Sequence, residues 1–350
     1  MKIQRLNSLD SIRGIAAISV FLSHFGNSKL PLLHELYGDF QSKFLWCNGG
    51  LHWGVVVFVV LSGFSIHMQY VNAEFFDINL FFKRRLLRIY PVLIFAILLG
   101  FIVDNHFYHR HILEYVKNFL ANGLLLTAFF PIQPILVNGI MHTAIVEVVI
   151  YILYPTMFRF FKKNPIAFYF VLLVMHFLNF GLNYFQIDGT WIGRNVFSLL
   201  LYWWIGAFFA ELTFTSKKHF TFNNQIYKGW FACILGYGLY LSISHLINFQ
   251  GAHIFKSILL AILSGMFISS LVDFEIKNNY KRFFGLQYLG LVSYSLYAIH
   301  IPIVFFINSS TTLQNLYKNN LYYIIWISVI GMTFLTYMFI EKPFHKLARR

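Results

Sequence analysis

Long apolar segments recur from one end of the chain to the other, and they restrict its fold more than any other feature. Runs of about 18 or more apolar residues are long enough for a helix to cross a bilayer. Of the 350 residues, 58% are hydrophobic and 11% are charged, whereas about 25% are charged in an ordinary soluble domain. The sequence therefore predicts an all-α polytopic membrane protein.

About ten transmembrane helices are predicted from these runs. They are Ile12–Phe25, Leu51–Val71, Ile89–Val103, Ile140–Phe158, Ile166–Tyr184, Trp191–Leu212, Trp230–Ile247, Ile254–Val272, Leu286–Ile307 and Leu321–Ile340. No internal repeat and no long linker interrupts them, so we expect a single transmembrane domain over residues 1–350 with no appended soluble domain.

Basic residues in the short loops predict the orientation of these helices, because cytoplasmic loops of membrane proteins carry an excess of lysine and arginine. With ten spans and both termini cytoplasmic, the basic loops all fall on one side. The residues concerned are Lys83, Arg84, Arg85, Arg88, Arg159, Lys162, Lys163, Lys217, Lys218, Lys277, Lys281, Arg282, Lys342, Lys346, Arg349 and Arg350.

One apolar segment, Leu113–Phe130, does not fit this alternation. If it crossed the membrane, the basic residues after the next span would lie outside. We therefore interpret it as an interfacial or re-entrant helix that packs against protein, which is where irregular backbone is tolerated at membrane depth.

The formal charge of +14, from 27 Lys+Arg against 13 Asp+Glu, is explained by these loops, and we expect no nucleic-acid partner. Cys47 and Cys233 form neither a disulfide framework nor a metal motif. His106, His109 and His111 match no zinc spacing well. No metal site is expected.

The first span contains an unusual polar stripe. Arg13 and His24 are eleven positions apart, so they lie about 20° apart around a helix and roughly 16 Å apart along it. Asp10 precedes Arg13 by three residues and can pair with it. Buried ionisable groups usually face a cavity or pathway; the alternative is that Arg13 and His24 extend to the two headgroup layers.

Further polar groups interrupt other spans. Glu147 lies within an apolar helix, with Thr143 and Tyr151 one turn away on the same side, so it must be paired, protonated or next to a polar cavity. Ser293 and His300 are seven residues apart and share a helical face.

Two more segments carry charge at the ends of predicted spans. Arg85 and Arg88, at i and i+3, can present two guanidinium groups to one phosphate-rich ligand, unless they serve only to orient the protein. In "FIEKPFHKLARR", Glu341 and Pro343 are expected to end the last span.

These pieces together resemble the acyltransferase-3 family of integral membrane acyltransferases, which modify bacterial surface polysaccharides and other acceptors. "LDSIRGIAAISVFLSH" is similar to the family's Arg/Lys-x10-His motif, on Arg13 and His24, and "FVVLSGFSI", which contains Ser62, to its phenylalanine-rich LSGF segment. "RRLLRIYP" supplies its Arg-x-x-Arg on Arg85 and Arg88.

The second half of the chain continues the resemblance. "HTAIVEVVIYILYP" aligns with the family's WSL-x-x-E-x-x-FYLL-x-P segment, on Glu147, Tyr151 and Pro155, and "SYSLYAIHIPI" and "IEKPF" match its last two signatures. The fourth segment departs from the pattern, since His142 and Thr143 replace the usual Trp and Ser. We expect this exchange to reshape the acyl or acceptor pocket.

The resemblance implies transfer of an acyl group, most simply acetyl from acetyl-CoA, to a hydroxyl of a surface carbohydrate such as O-antigen, capsule or exopolysaccharide. Acyl-CoA is then a co-substrate, with no permanently bound cofactor, and the protein lies in the bacterial cytoplasmic (inner) membrane among its lipids. The carbohydrate acceptor is free or lipid-linked. The resemblance does not distinguish acetyl from succinyl or another short acyl group.

The resemblance also assigns roles to the candidate residues. His24 is the expected catalytic base, or the site of an acyl-histidine intermediate. Glu147 either orients His24 or helps to bind the acceptor. Arg85, Arg88 and Arg13 would hold the phosphates of acyl-CoA, and the expected supporting residues are Asp10, Ser62, Tyr151, Ser293 and His300.

Two alternatives remain open at this point. A transporter or flippase would also place charges within the membrane, although such proteins commonly show paired discontinuous helices with repeat symmetry. An acyltransferase could instead act on a lipid, a peptidoglycan sugar or a small molecule.

Overall fold

A computed structural model describes ten parts of the chain, and these form one predominantly helical arrangement. The described parts are residues 6–25, 46–47, 51–73, 76–130, 139, 141–181, 195–215, 252–279, 285–316 and 321–348. Trp230–Ile247 with Cys233, as well as Lys217, Lys218, Lys281, Arg282, Arg349 and Arg350, lie outside them.

Helices dominate the described residues. They are α1 (Asn7–Phe25), α2 (Trp53–His67), α3 (Ile78–Tyr108), α4 (Ile112–Gly123), α5 (Met141–Lys163), α6 (Pro165–Gly181), α7 (Val196–Thr215), α8 (Ala252–Asn278), α9 (Leu286–Ser309), α10 (Thr311–Leu316), α11 (Leu321–Thr336) and α12 (Lys342–Leu347). Two short antiparallel strands, β1 (Trp46–Cys47) and β2 (Leu51–His52), precede α2.

Six helical segments within the described residues are long and apolar enough to cross a membrane. They are Ile78–Tyr108, Met141–Lys163, Val196–Thr215, Phe255–Asn278, Leu286–Ser309 and Tyr323–Leu347. Two shorter apolar helices, α2 and α6, also coincide with predicted spans. The all-α polytopic architecture is thus confirmed, while the orientation of the helices stays a prediction.

Small residues allow two pairs of helices to approach closely, as is common in membrane proteins. A Cβ on Gly290 of α9 would lie 2.0 Å from the carbonyl oxygen of Asp10 in α1. A Cβ on Gly63 of α2 would lie 1.8 Å from the carbonyl oxygen of Trp203 in α7. These contacts bring the polar face of α1 against α9 and the "LSGF" turn against α7.

The segment Leu113–Phe130 is broken rather than continuous. Helix α4 has 12 residues, or about 18 Å, which is shorter than the roughly 30 Å of a bilayer core. Leu125 then adopts a left-handed conformation with φ of 63°, and a 3₁₀ turn (Leu126–Ala128) follows. This geometry supports the interfacial or re-entrant interpretation.

Side chains attach this segment to its neighbours. The Nε2–H of His142 in α5 donates to the carbonyl oxygen of Thr127 at 2.8 Å. Arg110 and Tyr115 both bond the buried carboxylate of Asp104 at the end of α3, at 3.2 and 3.0 Å.

The prediction that Glu341 and Pro343 end the last span is wrong. Helix α11 passes through a π-helical turn (Tyr337–Glu341) directly into α12, so the apolar helical segment extends from Tyr323 to Leu347. Pro343 lies at the start of α12, directly after the π-helical turn, and it contributes no backbone N–H at this position.

Candidate active site

Two adjoining cavities lie among the helices that carry the sequence motifs. The larger, which we call the vestibule, has a volume of about 700 Å³ and is lined by charged groups from α1, α3 and the last helical segment. These charged groups include Asp10, Arg13, Arg84, Arg85, Arg88 and Glu341.

The smaller cavity, which we call the inner cavity, has a volume of about 80 Å³ and is formed by five helices, α1, α2, α3, α5 and α9. The residues that line both cavities are Arg13, Ser65, Arg85, Arg88, Ser293 and Tyr294. A molecule bound in the vestibule can therefore extend past these residues towards the inner cavity.

Arg13 and Asp10 form the ion pair that their spacing predicts. An Nη of Arg13 lies 2.9 Å from Oδ1 of Asp10, and both side chains are largely buried. Because Asp10 leaves part of the guanidinium free to face both cavities, Arg13 can contact a ligand while it is held in place.

The Arg85 guanidinium enters the cavities from α3 and is almost fully buried. It donates to the Gln69 side-chain oxygen at 3.2 Å and lies 5.8 Å from the ring of Phe81. Its Nε is buried with no hydrogen-bond partner among the described residues. A buried guanidinium with an unsatisfied donor is suited to an anionic ligand, and Arg88 lines the same two cavities.

A polar cluster on the wall of the inner cavity surrounds Glu147. The hydroxyls of Ser62 and Tyr151 both donate to its Oε1, and they lie 2.9 Å from each other. Trp203 donates its indole N–H to Ser62 at 3.3 Å. From the sequence, Glu147 could be paired, protonated or next to a polar cavity. In the structure it lines the inner cavity, and Ser62 and Trp203 join it from two other helices.

The departure from the family pattern at positions 142 and 143 affects two different places. Thr143 lines the inner cavity next to Glu147. His142 is buried and bonds the segment after α4 instead. The threonine is thus placed to reshape the pocket, whereas the histidine attaches the irregular segment to α5.

His24 lies beyond the inner cavity, in the last turn of α1. Its Nδ1–H donates to the carbonyl oxygen of Val20 at 2.8 Å, which leaves Nε2 as the basic nitrogen of the neutral ring. His300 has the same arrangement, with its Nδ1–H donating to Leu296 at 2.9 Å. The two ring centroids are 5.3 Å apart.

Tyr297 connects the two regions. It lines the inner cavity, and its ring centroid lies 6.3 Å from that of His300. The order along this face is therefore inner cavity, Tyr297, His300 and His24.

The structure divides the residues named from the sequence into two groups. Arg13, Ser62, Arg85, Arg88, Glu147, Tyr151 and Ser293 line the inner cavity, and Asp10 lines the vestibule. His24 and His300 form the second group. The hydrogen bonds that the structure gives to Glu147 come from Ser62 and Tyr151, so its geometry favours a role in the cavity over direct orientation of His24.

Sequence reasoning missed several cavity residues, and Tyr294 and Glu341 are two of them. Tyr294 lines both cavities and donates its hydroxyl to the carbonyl oxygen of Ile89 at 3.1 Å. Glu341, which was interpreted as a helix end, lines the vestibule. The spacing of Tyr294 and Tyr297 next to Ser293 was a usable signal for the tyrosines, but none identified Glu341.

Curated relatives of the chain are O-acetyltransferases. It is 24% identical over 376 aligned residues to proteins named O-acetyltransferase OatA from Staphylococcus aureus strains NCTC 8325, COL and MRSA252. The alignments cover 97% of this chain and 57% of each relative, so the chain spans little more than half the length of these relatives.

No solved structure is significantly similar to the chain. A family model described as "Acyltransferase domain" matches residues 6–341, which include every cavity residue described above except those of α12. The chain therefore belongs to the acyltransferase-3 family and is a multi-pass membrane protein.

Proposed function

We propose that the protein is an O-acyltransferase that transfers an acetyl group from acetyl-CoA to a hydroxyl of a carbohydrate. The observation that carries this proposal is an arginine-rich vestibule that shares lining residues with a small inner cavity around Glu147. The family and the O-acetyltransferase relatives support the reaction type.

The vestibule is suited to the phosphates of CoA. Arg13, Arg85 and Arg88 present guanidinium groups at the junction of the two cavities, and guanidinium groups bind phosphate by paired, charge-assisted hydrogen bonds. The pantetheine arm would then extend inward through the inner cavity, so that its thioester approaches His24. The basic residues of this region also predict that the vestibule opens to the cytoplasm.

In the proposed chemical step, the acceptor hydroxyl oxygen attacks the thioester carbonyl carbon. The Nε2 of His24 takes the hydroxyl proton, the C–S bond breaks, and the CoA thiolate recovers that proton from His24. An acyl group on His24 is the alternative route, and it predicts ping-pong kinetics. Since His24 lies beyond Tyr297 and His300, the thioester must reach past the inner cavity.

Glu147 is proposed to shape the inner cavity. Its carboxylate accepts hydrogen bonds from the hydroxyls of Ser62 and Tyr151 and lines the same cavity as Arg13. These groups set the polarity of the cavity through which the acyl chain passes. From this position, Glu147 can also contact the acceptor.

The acceptor is proposed to be a surface carbohydrate, free or lipid-linked, reached from the outer side of the bacterial cytoplasmic membrane. His24 lies at the opposite end of α1 from Asp10 and Arg13, as this arrangement requires. The relatives are O-acetyltransferases by name, which favours a hydroxyl acceptor.

The test is to delete the gene in its host, complement it with the unmodified or the His24→Ala form, and compare the cell-surface glycans by NMR. The unmodified gene should restore an O-acetyl signal that the deletion removes, whereas the variant should not. Purified protein in liposomes should also consume acetyl-CoA only with acceptor present. Movement of glycan without consumption of acetyl-CoA would instead indicate a transporter.

A further inference from the structure

Glu341 is an acid in a cavity that otherwise concentrates positive charge. It is 3% exposed, it ends the π-helical turn between α11 and α12, and it lines the vestibule. A carboxylate beside a phosphate site repels its ligand, so this position calls for a compensating role.

The carboxylate is anchored to α9. Its Oε2 accepts hydrogen bonds from the Ser295 hydroxyl at 2.6 Å and from the Ser295 backbone N–H at 3.2 Å. Its Oε1 lies 3.9 Å from the His345 ring nitrogen. These contacts hold the charge at one point relative to α9, whose residues Ser293 and Tyr294 line both cavities.

The charge faces the arginines of two other helices. Arg88 of α3, Arg13 of α1 and the Glu341 carboxylate all line the vestibule, and opposite charges in one cavity attract each other. The guanidinium groups of Arg13 and Arg88 line both cavities and repel each other because they carry like charges. Asp10 offsets this repulsion by its ion pair with Arg13, and Glu341 brings a second negative charge into the vestibule from the last helical segment.

The π-helical turn explains how the carboxylate reaches this position. A π turn inserts one extra residue into a helix, which changes the direction of the side chains that follow, and such turns are frequent at functional sites. Here the turn directs Glu341 onto Ser295. The same helical segment packs against α3, which carries Arg88.

We propose that Glu341 is a positioning residue of the vestibule, which holds the guanidinium groups of Arg88 and Arg13 in the arrangement that binds the phosphates of the acyl donor. This inference rests on the proposed function, because it takes CoA to be the vestibule ligand. It adds a residue that acts through the arginines rather than by contact with the donor.

The direction in which CoA affinity changes in a Glu341 variant distinguishes a positioning role from simple repulsion of the donor. If Glu341 only repelled the donor, Glu341→Gln would tighten CoA binding. If it positions the arginines, the same variant should weaken CoA binding and raise the KM for acetyl-CoA by roughly ten-fold, with a smaller change in kcat. Binding of CoA to the full chain in detergent is measured calorimetrically. Glu114→Gln, which removes an exposed carboxylate from α4, is the matched control.

Two further variants keep the test decisive. Ser295→Ala retains the carboxylate but removes its anchor, and it should weaken CoA binding in the same direction. In an Arg88→Gln background, the added Glu341→Gln change should have a clearly smaller effect, because residues that act together are not additive.

The outcomes are distinct. Unchanged or tighter CoA binding by Glu341→Gln, or full additivity with Arg88→Gln, would overturn this inference alone. If Glu341→Gln is not recovered folded, unchanged binding by Ser295→Ala overturns it. Failure of the unmodified protein to bind CoA would overturn the proposed function and this inference with it.

Discussion

The imidazole rings of His24 and His300 lie with their centroids 5.3 Å apart, on neighbouring helices that pack along the polar face of α1. Each ring donates its Nδ1–H to the carbonyl oxygen of the residue four positions earlier. Both rings therefore present Nε2 as the basic atom. This pairing places the proposed catalytic base beside a second, fully buried histidine rather than beside the Glu147 cluster.

His24→Ala should lower acetyl transfer by about 10²- to 10⁴-fold, the usual contribution of a general base. CoA binding should persist, since His24 is not among the described residues that line either cavity. Both quantities are measured on purified protein. His106→Ala, which changes an exposed histidine at the end of α3, is the control and should retain activity.

Arg85→Lys and Arg88→Lys should each raise the KM for acetyl-CoA by about 10- to 100-fold. A lysine keeps the charge but loses paired phosphate bonding, and a charge-assisted hydrogen bond contributes roughly 1.5–3 kcal/mol. Steady-state kinetics at several salt concentrations checks this. Arg159→Lys, at an exposed position of α5, should leave the KM unchanged. An equal rise in the KM of this control would contradict a specific role of Arg85 and Arg88.

Tyr151→Phe should destabilise the protein by about 1–3 kcal/mol, because it removes a donor from the half-buried carboxylate of Glu147. Ser62→Ala should have an effect of similar size. The double variant should cost less than the sum of both, since the two hydroxyls donate to the same oxygen of Glu147. Thermal unfolding in detergent measures the three variants. Strict additivity would show that the cluster does not act as a unit.

Gly63→Val should prevent stable assembly of α2 with α7, because even a Cβ would lie 1.8 Å from the Trp203 carbonyl oxygen. We expect a large loss of folded protein in the membrane, measured by size-exclusion chromatography after extraction. Gly331→Ala is the control, since a Cβ at this helical position meets nothing within 4 Å. That change should be neutral or stabilising.

A topology reporter fused after Lys163 should report a cytoplasmic location, and one fused within α4 should report the outer side. The short α4 and the left-handed Leu125 make a full crossing by this segment unfavourable. An outer location for the reporter at Lys163 would contradict both the orientation and the interfacial interpretation of Leu113–Phe130.

Much of this protein was determined by its sequence. Apolar runs separated by basic loops establish a polytopic helical membrane protein, because lipid offers no partner for an unpaired backbone amide. The ordered motifs identify the family, and helical periodicity alone pairs Asp10 with Arg13. Such local relationships follow from the 3.6-residue repeat, which needs no knowledge of the neighbouring helices.

Tertiary structure decided which polar groups meet. Ser62, Glu147 and Trp203 come from three helices, and their assembly depends on the close packing of α2 against α7 at Gly63. The sequence suggested that Glu341 ends a helix. In the structure, the π-helical turn directs its side chain onto Ser295. Contacts between helices far apart in sequence depend on packing and on the direction of each helical face, and neither can be derived from the periodicity of one helix.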